Sequence, residues 1–331
     1  MMRRRAFVIG VGAVLFAPAA TLAQQTKVYR VGMLFQGSAD SPGNSLTTRR
    51  RILIDTLHDL GYIDGRNLVV DRRYAESRLE RFPGLAAELV ALKPDVILAE
   101  STPSAIAAKQ ATATIPIVLL NVSDPVGNGL VASLVRPGGN ITGVTDFGVE
   151  LAAKELDVLH ALFPNAKRFA VLMSDNPVHP FQFKALEDAA RAIGLTVTPE
   201  RARSFEELDG AFAAMARKNV GAFILLGGPP FTSEASADKI VALAAKTKIP
   251  GMYPNRWRVE RGGLLSYGPK NELTYRVAVT YIGRILKGAN PADLPVEQPR
   301  EFELVINLKT AKTLGLTIPP SLLLRADHVI E

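Results

Sequence analysis

Six prolines stand just beyond apolar, β-branched runs: Thr102-Pro103, Asp124-Pro125, Asn176-Pro177, Gly228-Pro229, Tyr253-Pro254 and Gly268-Pro269. Proline suits the first turn of a helix, and Thr, Asp or Asn before it caps free backbone N–H groups. A helix N-terminus presents N–H donors and the positive end of a dipole to an anionic group. The chemistry within reach is therefore non-covalent, hydrogen bonding and charge complementarity toward a small solute. Singly, each pair is punctuation. Repeated in both halves of the chain, the pairs point to a polar cleft where two sets of strand ends meet. Asp124 is the sharpest member: it either accepts hydrogen bonds from a ligand ammonium or caps a helix over Pro125–Leu134. Gly127 and Gly129 either let that first turn approach a ligand closely or serve helix packing.

Covalent and metal chemistry find little support. There is no Cys, which excludes disulfides, thiolate metal sites, thiol catalysis and a lipidated N-terminal Cys. The histidines, at 58, 160, 179 and 328, are far apart, and none has an i+4 His partner for a zinc helix. His58 and His160 fall in helical patterns and read as surface or packing residues. No Gly-x-Ser-x-Gly elbow or phosphate-binding P-loop occurs, and no carboxylate pair stands out as an acid/base dyad. No cofactor and no metal are expected.

The elements that must position these residues alternate. Strands are expected at Tyr29–Phe35, Leu68–Tyr74, Asp95–Ala99, Ile115–Leu120 and Ile141–Thr145. They resume at Arg168–Met173, Leu195–Thr198, Ala222–Leu226, Ile249–Tyr253, Gly263–Tyr267 and Phe302–Asn307. Helices are expected between them, at Leu46–Leu60, Phe82–Leu92, Pro103–Ala111, Leu151–Phe163, Phe181–Ile193, Phe205–Lys218, Ser233–Lys246 and Glu272–Lys287. Ile52, Thr56 and Leu60 share a stripe at the spacing of a helix packed on a sheet. Val96-Ile97-Leu98 and Ile224-Leu225-Leu226 are continuous apolar runs, as strands covered on both faces require. Alternating βα units imply an α/β fold with parallel sheets, and the series runs twice, so two lobes are expected.

At 331 residues the chain has room for two domains. Apolar residues make up 47% and charged residues 21%, the balance of a folded, globular protein. Three of the seven net positive charges are Arg3, Arg4 and Arg5, and the other basic residues are scattered, which argues against a nucleic-acid stripe. Behind those arginines run uncharged residues Ala6–Ala23, apolar over Phe7–Phe16, with Thr21 and Ala23 at the −3 and −1 positions of a cleavage site. This is the anatomy of a secretory signal over residues 1–23, and Arg4-Arg5-Ala6-Phe7-Val8 resembles a twin-arginine export signal. The run is too short and too interrupted by Gly10, Gly12 and Pro18 for a membrane anchor, which needs about 20 apolar residues. A soluble periplasmic protein is expected.

Longer blocks carry a family resemblance. Asp124-Pro-Val-Gly-Asn-Gly-Leu-Val-Ala-Ser-Leu, Arg136-Pro-Gly-Gly-Asn-Ile-Thr-Gly, Gly262-Gly-Leu-Leu-Ser-Tyr-Gly and Phe302-Glu-Leu-Val-Ile-Asn-Leu-Lys-Thr-Ala-Lys-Thr-Leu-Gly-Leu resemble bacterial ABC-transporter substrate-binding proteins. Ala111-Thr-Ala-Thr-Ile-Pro-Ile-Val and Asp293-Leu-Pro-Val-Glu-Gln-Pro agree, so the likeness covers about residues 28–331. The family includes receptors similar to tryptophan- and tyrosine-binding proteins. The resemblance implies the type I periplasmic binding fold, two Rossmann-like lobes joined by three crossovers, with a ligand held between them. It also implies delivery of the ligand to a separate membrane permease and ATPase; a monomer is expected. On this chain, lobe 1 would be 28–145 plus 269–290 and lobe 2 would be 146–268 plus 291–331, with crossovers near Gly143–Gly148, Tyr267–Pro269 and Pro291–Pro295.

On that map, Ser38, Ser101 and Thr102 are candidates for a ligand carboxylate, and Asp124 for a cationic or hydroxyl group. The polar loop Ser38–Ser45 would close over the ligand. From lobe 2, Asn176 offers an amide, Gly227 and Gly228 offer backbone N–H groups or merely shape a turn, and Tyr253, Trp257 and Tyr267 offer aromatic walls or act as packing residues. An aromatic amino acid or a related carboxylate is the expected ligand class. Two alternatives stand beside this reading: an extracytoplasmic hydrolase using Asp124, which would release altered product, and a ligand sensor of the same fold acting on a membrane receptor.

Overall fold

The computed structural model describes residues 27–38 and 45–331. The export signal expected over 1–23 and the interior of the loop Ser38–Ser45 lie outside the described residues. The first lobe begins with β1 (Tyr29–Phe35), α1 (Ser45–Asp59), β2 (Leu68–Tyr74) and α2 (Phe82–Ala91). It continues through β3 (Val96–Glu100), α3 (Thr102–Ala111), β4 (Ile117–Val122) and β5 (Ile141–Thr145). Its strands form one parallel sheet in the order β2-β1-β3-β4-β5. Side chains alternate across a strand, and here both faces are covered. Val31, Met33, Val96, Leu98, Val118 and Leu120 pack on one face against Ile52, Leu53 and Leu57 of α1. Ile97, Ala99, Ile117 and Leu119 face Ala105 and Ala108 of α3 on the other.

The second lobe repeats the scheme. Its elements are α4 (Ala152–Leu162), β6 (Arg168–Met173), α5 (His179–Ala192), β7 (Thr196–Arg201), α6 (Leu208–Arg217), β8 (Ala222–Leu225), α7 (Glu234–Thr247), β9 (Gly251–Tyr253), α8 (Arg256–Glu260) and β10 (Leu265–Pro269). The sheet runs β7-β6-β8-β9-β10, the same winding as the first, and is then extended by two strands. The chain first returns to lobe 1 as α9 (Asn271–Leu286), whose Tyr275, Ala278, Val279 and Ile282 join the α1 side of that core.

The third crossover lies later than the sequence suggests. Leu294 and Val296 are still packed in the first lobe's cores, and Glu297 exchanges backbone hydrogen bonds with Gly143 (2.8 Å) and Thr145 (3.0 Å) beside β5. Only beyond Glu297 does the chain cross to β11 (Phe302–Asn307), followed by α10 (Leu308–Thr313), α11 (Pro320–Leu323) and β12 (His328–Ile330). Pro291–Pro295 therefore forms no crossover. Because the chain re-enters the second sheet from the end where β10 leaves it, β11 runs antiparallel to β10, a departure from the all-parallel expectation. β12, which sequence reading did not find, pairs parallel to β11 with three mostly exposed residues and no apolar run to signal it.

The helix expected over Pro125–Leu134 does not form. Successive turns replace it, with Asn128 N–H donating to Asp124 C=O and Leu130 N–H to Pro125 C=O. Gly127 and Gly129 explain this, since each glycine disfavours a helix interior by about 1 kcal/mol relative to alanine, and Gly129 takes φ +66°.

Gly143 is required at the first crossover. It has φ +134°, and a Cβ there would fall 2.3 Å from the backbone nitrogen of Leu119. Gly143→Ala should therefore destabilise the protein by roughly 2–4 kcal/mol. An unchanged denaturant midpoint would contradict the close approach of β4 and β5 at this point.

Candidate functional site

Parallel strands wound in one sense deliver all their C-terminal loops to one edge of a sheet, the edge where α/β proteins bind ligands. Here the two sheets turn those edges toward each other. A cavity of about 140 Å³ lies between them. Its first wall follows the ends of β1, β3, β4 and β5, with Gln36, Ser101, Thr102, Ser123 and Asp146. The second follows β6, β8, β9 and β10, with Asn176, Gly227, Gly228, Asn255, Trp257, Arg258 and Tyr267. Glu155 and Gln182 reach it from α4 and α5.

Most of the residues named from sequence meet here. Ser101 caps α3, its Oγ accepting from Ser104 N–H at 3.5 Å, and the Thr102 hydroxyl accepts from Ser123 N–H at 3.1 Å. Asn176 folds its Oδ1 onto Val178 N–H (3.2 Å) while its amide nitrogen passes so close to Gly228 that a Cβ there would lie 2.4 Å away. Gly228 also adopts φ +113°, so glycine answers both demands. Tyr267 stacks on Phe302, and Trp257 is buried with its indole N–H lacking a hydrogen-bond partner among the described residues. The Arg258 guanidinium lies 5.1 Å from the Trp257 ring centroid.

Three residues fall elsewhere. Tyr253 is fully buried in the second lobe's core, edge-on to Phe223, and Pro254 and Asn255 line the cavity in its place. Gln36, directly after β1, is on the wall rather than Ser38, with a buried Oε1 that has no hydrogen-bond partner among the described residues. Asp124 lies off the cavity wall, and its Oδ1 accepts from Gly127 N–H at 2.8 Å. A Cβ on Gly127 would collide with that carboxylate at 1.9 Å, so the Asp124–Gly127 signature encodes a tight turn.

The carboxylates that face the cavity are Asp146 and Glu155, both missed in the sequence. Asp146 follows β5 directly, the same strand-end position as the others but without a proline to mark it. Its Oδ1 accepts from Ser123 Oγ (2.6 Å) and Gly148 N–H (2.8 Å), yet burial still raises its proton affinity. Glu155 shares the buried stripe of α4 with Ala152, Leu156 and Leu159. A charge on such a stripe was the available signal. Burial, reinforced by the negative charge of Asp146, pushes Glu155 up to about 8. Gly148 makes the convergence possible: a Cβ there would meet Gln182 Nε2 at 2.4 Å and Ser123 Oγ at 2.6 Å.

His179, which no motif singled out, holds two of the cleft loops. Nε2 lies 2.8 Å from Gly227 C=O, and Nδ1 lies 2.9 Å from Ser174 N. The ring donates to the first and accepts from the second, which fixes one neutral tautomer. Burial depresses its pKa to about 4. A group whose folded pKa is depressed contributes stability that is complete above its unfolded value, near 6.5, and is lost as pH falls toward 4; the full span is roughly 3 kcal/mol. The pH 7 to pH 4 decline in unfolding free energy should therefore be shallower in His179→Gln than in the parent. Parallel profiles would exclude the buried neutral imidazole.

Comparison with known proteins places this geometry. Residues 42–330 match the family described as ABC transporter substrate binding protein. A tyrosine-binding protein of Clostridioides difficile (strain R20291) is 33% identical over 276 residues, 82% of this chain and 78% of that protein. A Streptococcus pneumonia ABC domain solved in complex with L-Trp superposes with TM-score 0.82 at 30% identity, covering 92% of this chain and all of that one. A ligand-free, open substrate-binding protein with adhesive properties from Clostridium difficile superposes with TM-score 0.64 at 27% identity, covering 92% and 99%. With two α/β lobes of the type I periplasmic binding fold, a cavity between their strand ends and a family match over most of its length, the chain belongs to the ABC transporter substrate-binding proteins.

Proposed function

We propose that this protein captures an aromatic amino acid of the tryptophan–tyrosine type outside the cytoplasmic membrane. It closes its lobes around that ligand and passes it to the permease and ATPase of an importer. The observation that carries this reading is the cavity's inventory. Two carboxylates, a guanidinium and an indole are contributed to one cavity, matching the ammonium, carboxylate and flat side chain of such a ligand. The L-Trp complex and the tyrosine-binding relative support the same ligand class. The N-terminal arginines and apolar run support export, and the absence of cysteine suits a fold that works without disulfides.

Lobe closure supplies the mechanism. The higher similarity to the L-Trp-bound chain than to the open one supports a closed arrangement. Away from the crossovers, Ser77 Oγ and Thr232 Oγ1 meet at 2.5 Å across the two lobes, a latch that exists only when they are closed. A ligand touching both walls shifts the population toward that state.

Calorimetric titration with the twenty amino acids should give binding by L-tryptophan or L-tyrosine and none by acidic or small aliphatic ones. A preference for the latter would overturn the assignment. Trp257→Ala should weaken the aromatic ligand by about 1–3 kcal/mol. Joint Ser77→Ala and Thr232→Val substitution should weaken it by about 0.5–1.5 kcal/mol, with the ligand-free unfolding midpoint unmoved; unchanged affinity would remove the latch.

A further inference from the structure

Asp146 and Glu155 line one cavity, and among the described residues neither takes part in an ion pair. Asp146 reaches it from the crossover after β5 and Glu155 from α4, so the pair spans the joint between the lobes. The amide of Gln182 stands beside Asp146 near Gly148, with its Oε1 buried and without a hydrogen-bond partner among the described residues. Two buried acids lining one cavity with no cationic partner among the described residues form an incomplete site, and a cation is what completes it.

We infer that Asp146 and Glu155 form a single receptor for a ligand's cationic amine, in which the incoming ammonium displaces a proton held by the pair. This rests on the amino-acid reading above and adds to it an exchange: Glu155 loses its carboxyl proton to solvent as the ammonium arrives. No other bond is broken, and the cavity's net charge is unchanged by the swap. The surroundings allow this. Burial and the Asp146 charge favour the protonated form of Glu155 in the free protein. From α5, packed against α4, His179 is neutral and committed to Gly227 and Ser174, while Lys184, Glu187, Asp188 and Arg191 pair with one another in solvent. α11 (Pro320–Leu323) carries no titratable side chain, and Arg258, from α8, donates to Phe231 C=O and Asn255 Oδ1 on the second wall. On α4 itself, the other titratable residues are Lys154, Asp157 and His160.

The experiment is calorimetric titration of the mature protein with L-tryptophan, L-tyrosine, tryptamine and indole-3-propionate, in phosphate and in Tris, from pH 6 to 8. The inference predicts release of a large fraction of one proton per bound amine. Affinity should weaken by up to tenfold for each pH unit below about 8, and indole-3-propionate should bind without proton release. Glu155→Gln should abolish the release, flatten the pH profile and raise the unfolding midpoint at pH 8.5, because it removes a buried charge. Tight, pH-independent binding of L-tryptophan or L-tyrosine without proton release would overturn the inference and leave the amino-acid reading standing. Proton-releasing binding of tryptamine alone would do the reverse. Failure of all three amines to bind would count against both.

Discussion

The cleft depends on a directional constraint. A parallel strand followed by a right-handed helical crossover returns to the same end of the sheet, so every strand of such a sheet exposes its C-terminal loop at one edge. Two sheets wound in the same order, β2-β1-β3-β4-β5 and β7-β6-β8-β9-β10, each supply one polar edge. The three crossings of the chain hold those edges face to face. Gly143 and Glu297 secure the first and third crossings side by side through backbone hydrogen bonds, so the joint is a narrow ribbon near β5. A ribbon of this kind permits rotation of one lobe on the other while each keeps its own covered sheet.

Closure then becomes a question of magnitudes. Taking an open-favoured population of 1:99 to 99:1 requires about 5.5 kcal/mol of differential affinity. Neutral hydrogen bonds contribute about 0.5–1.5 kcal/mol each and those to charged groups about 1.5–3, so an ammonium on Asp146 and Glu155, with an aromatic ring against Trp257, is sufficient in scale. On the inference that the pair receives an amine, the buried acids would also let the cleft discriminate. Burial disfavours their ionisation, and on that inference the free energy released when a cation joins them would belong to the ligand-bound state alone. His179 serves the opposite purpose, locking the Gly227–Gly228 loop with an imidazole that is stable only when neutral.

Much of the architecture was legible because buried parallel strands are written as continuous apolar runs. Tyr29–Phe35, Ile141–Thr145 and Arg168–Met173 stand where the runs place them, and the β-branched segments Leu68–Tyr74 and Phe302–Asn307 stand where sequence expects strands. Direction was not legible. Nothing in Phe302–Asn307 records that the chain re-enters from the cleft side, so its antiparallel pairing had to be seen. At the site, proline marked strand ends well and so drew attention to Asp124, where the two following glycines favour a turn over a helix. The unmarked strand end at Asp146 was passed over. Tyr253 and Trp257 lie four residues apart, and only the packing of Phe223 decides that the first belongs to the core. Glu155 was hidden in plain sight as a charge on an apolar helical stripe, which helix periodicity can detect and motif matching cannot.

Cysteine-free sequence makes the lobe motion directly measurable, because introduced thiols label uniquely. Glu80 on the first lobe and Glu206 on the second both line an outer groove that also includes Ser77 of the latch. With spin labels at Glu80→Cys and Glu206→Cys, pulsed dipolar spectroscopy should show a broad, longer distance in the free protein. Saturating L-tryptophan or L-tyrosine should convert it to a short, narrow one. A distribution that stays the same when calorimetry shows the ligand bound would contradict capture by closure of two facing strand-end walls.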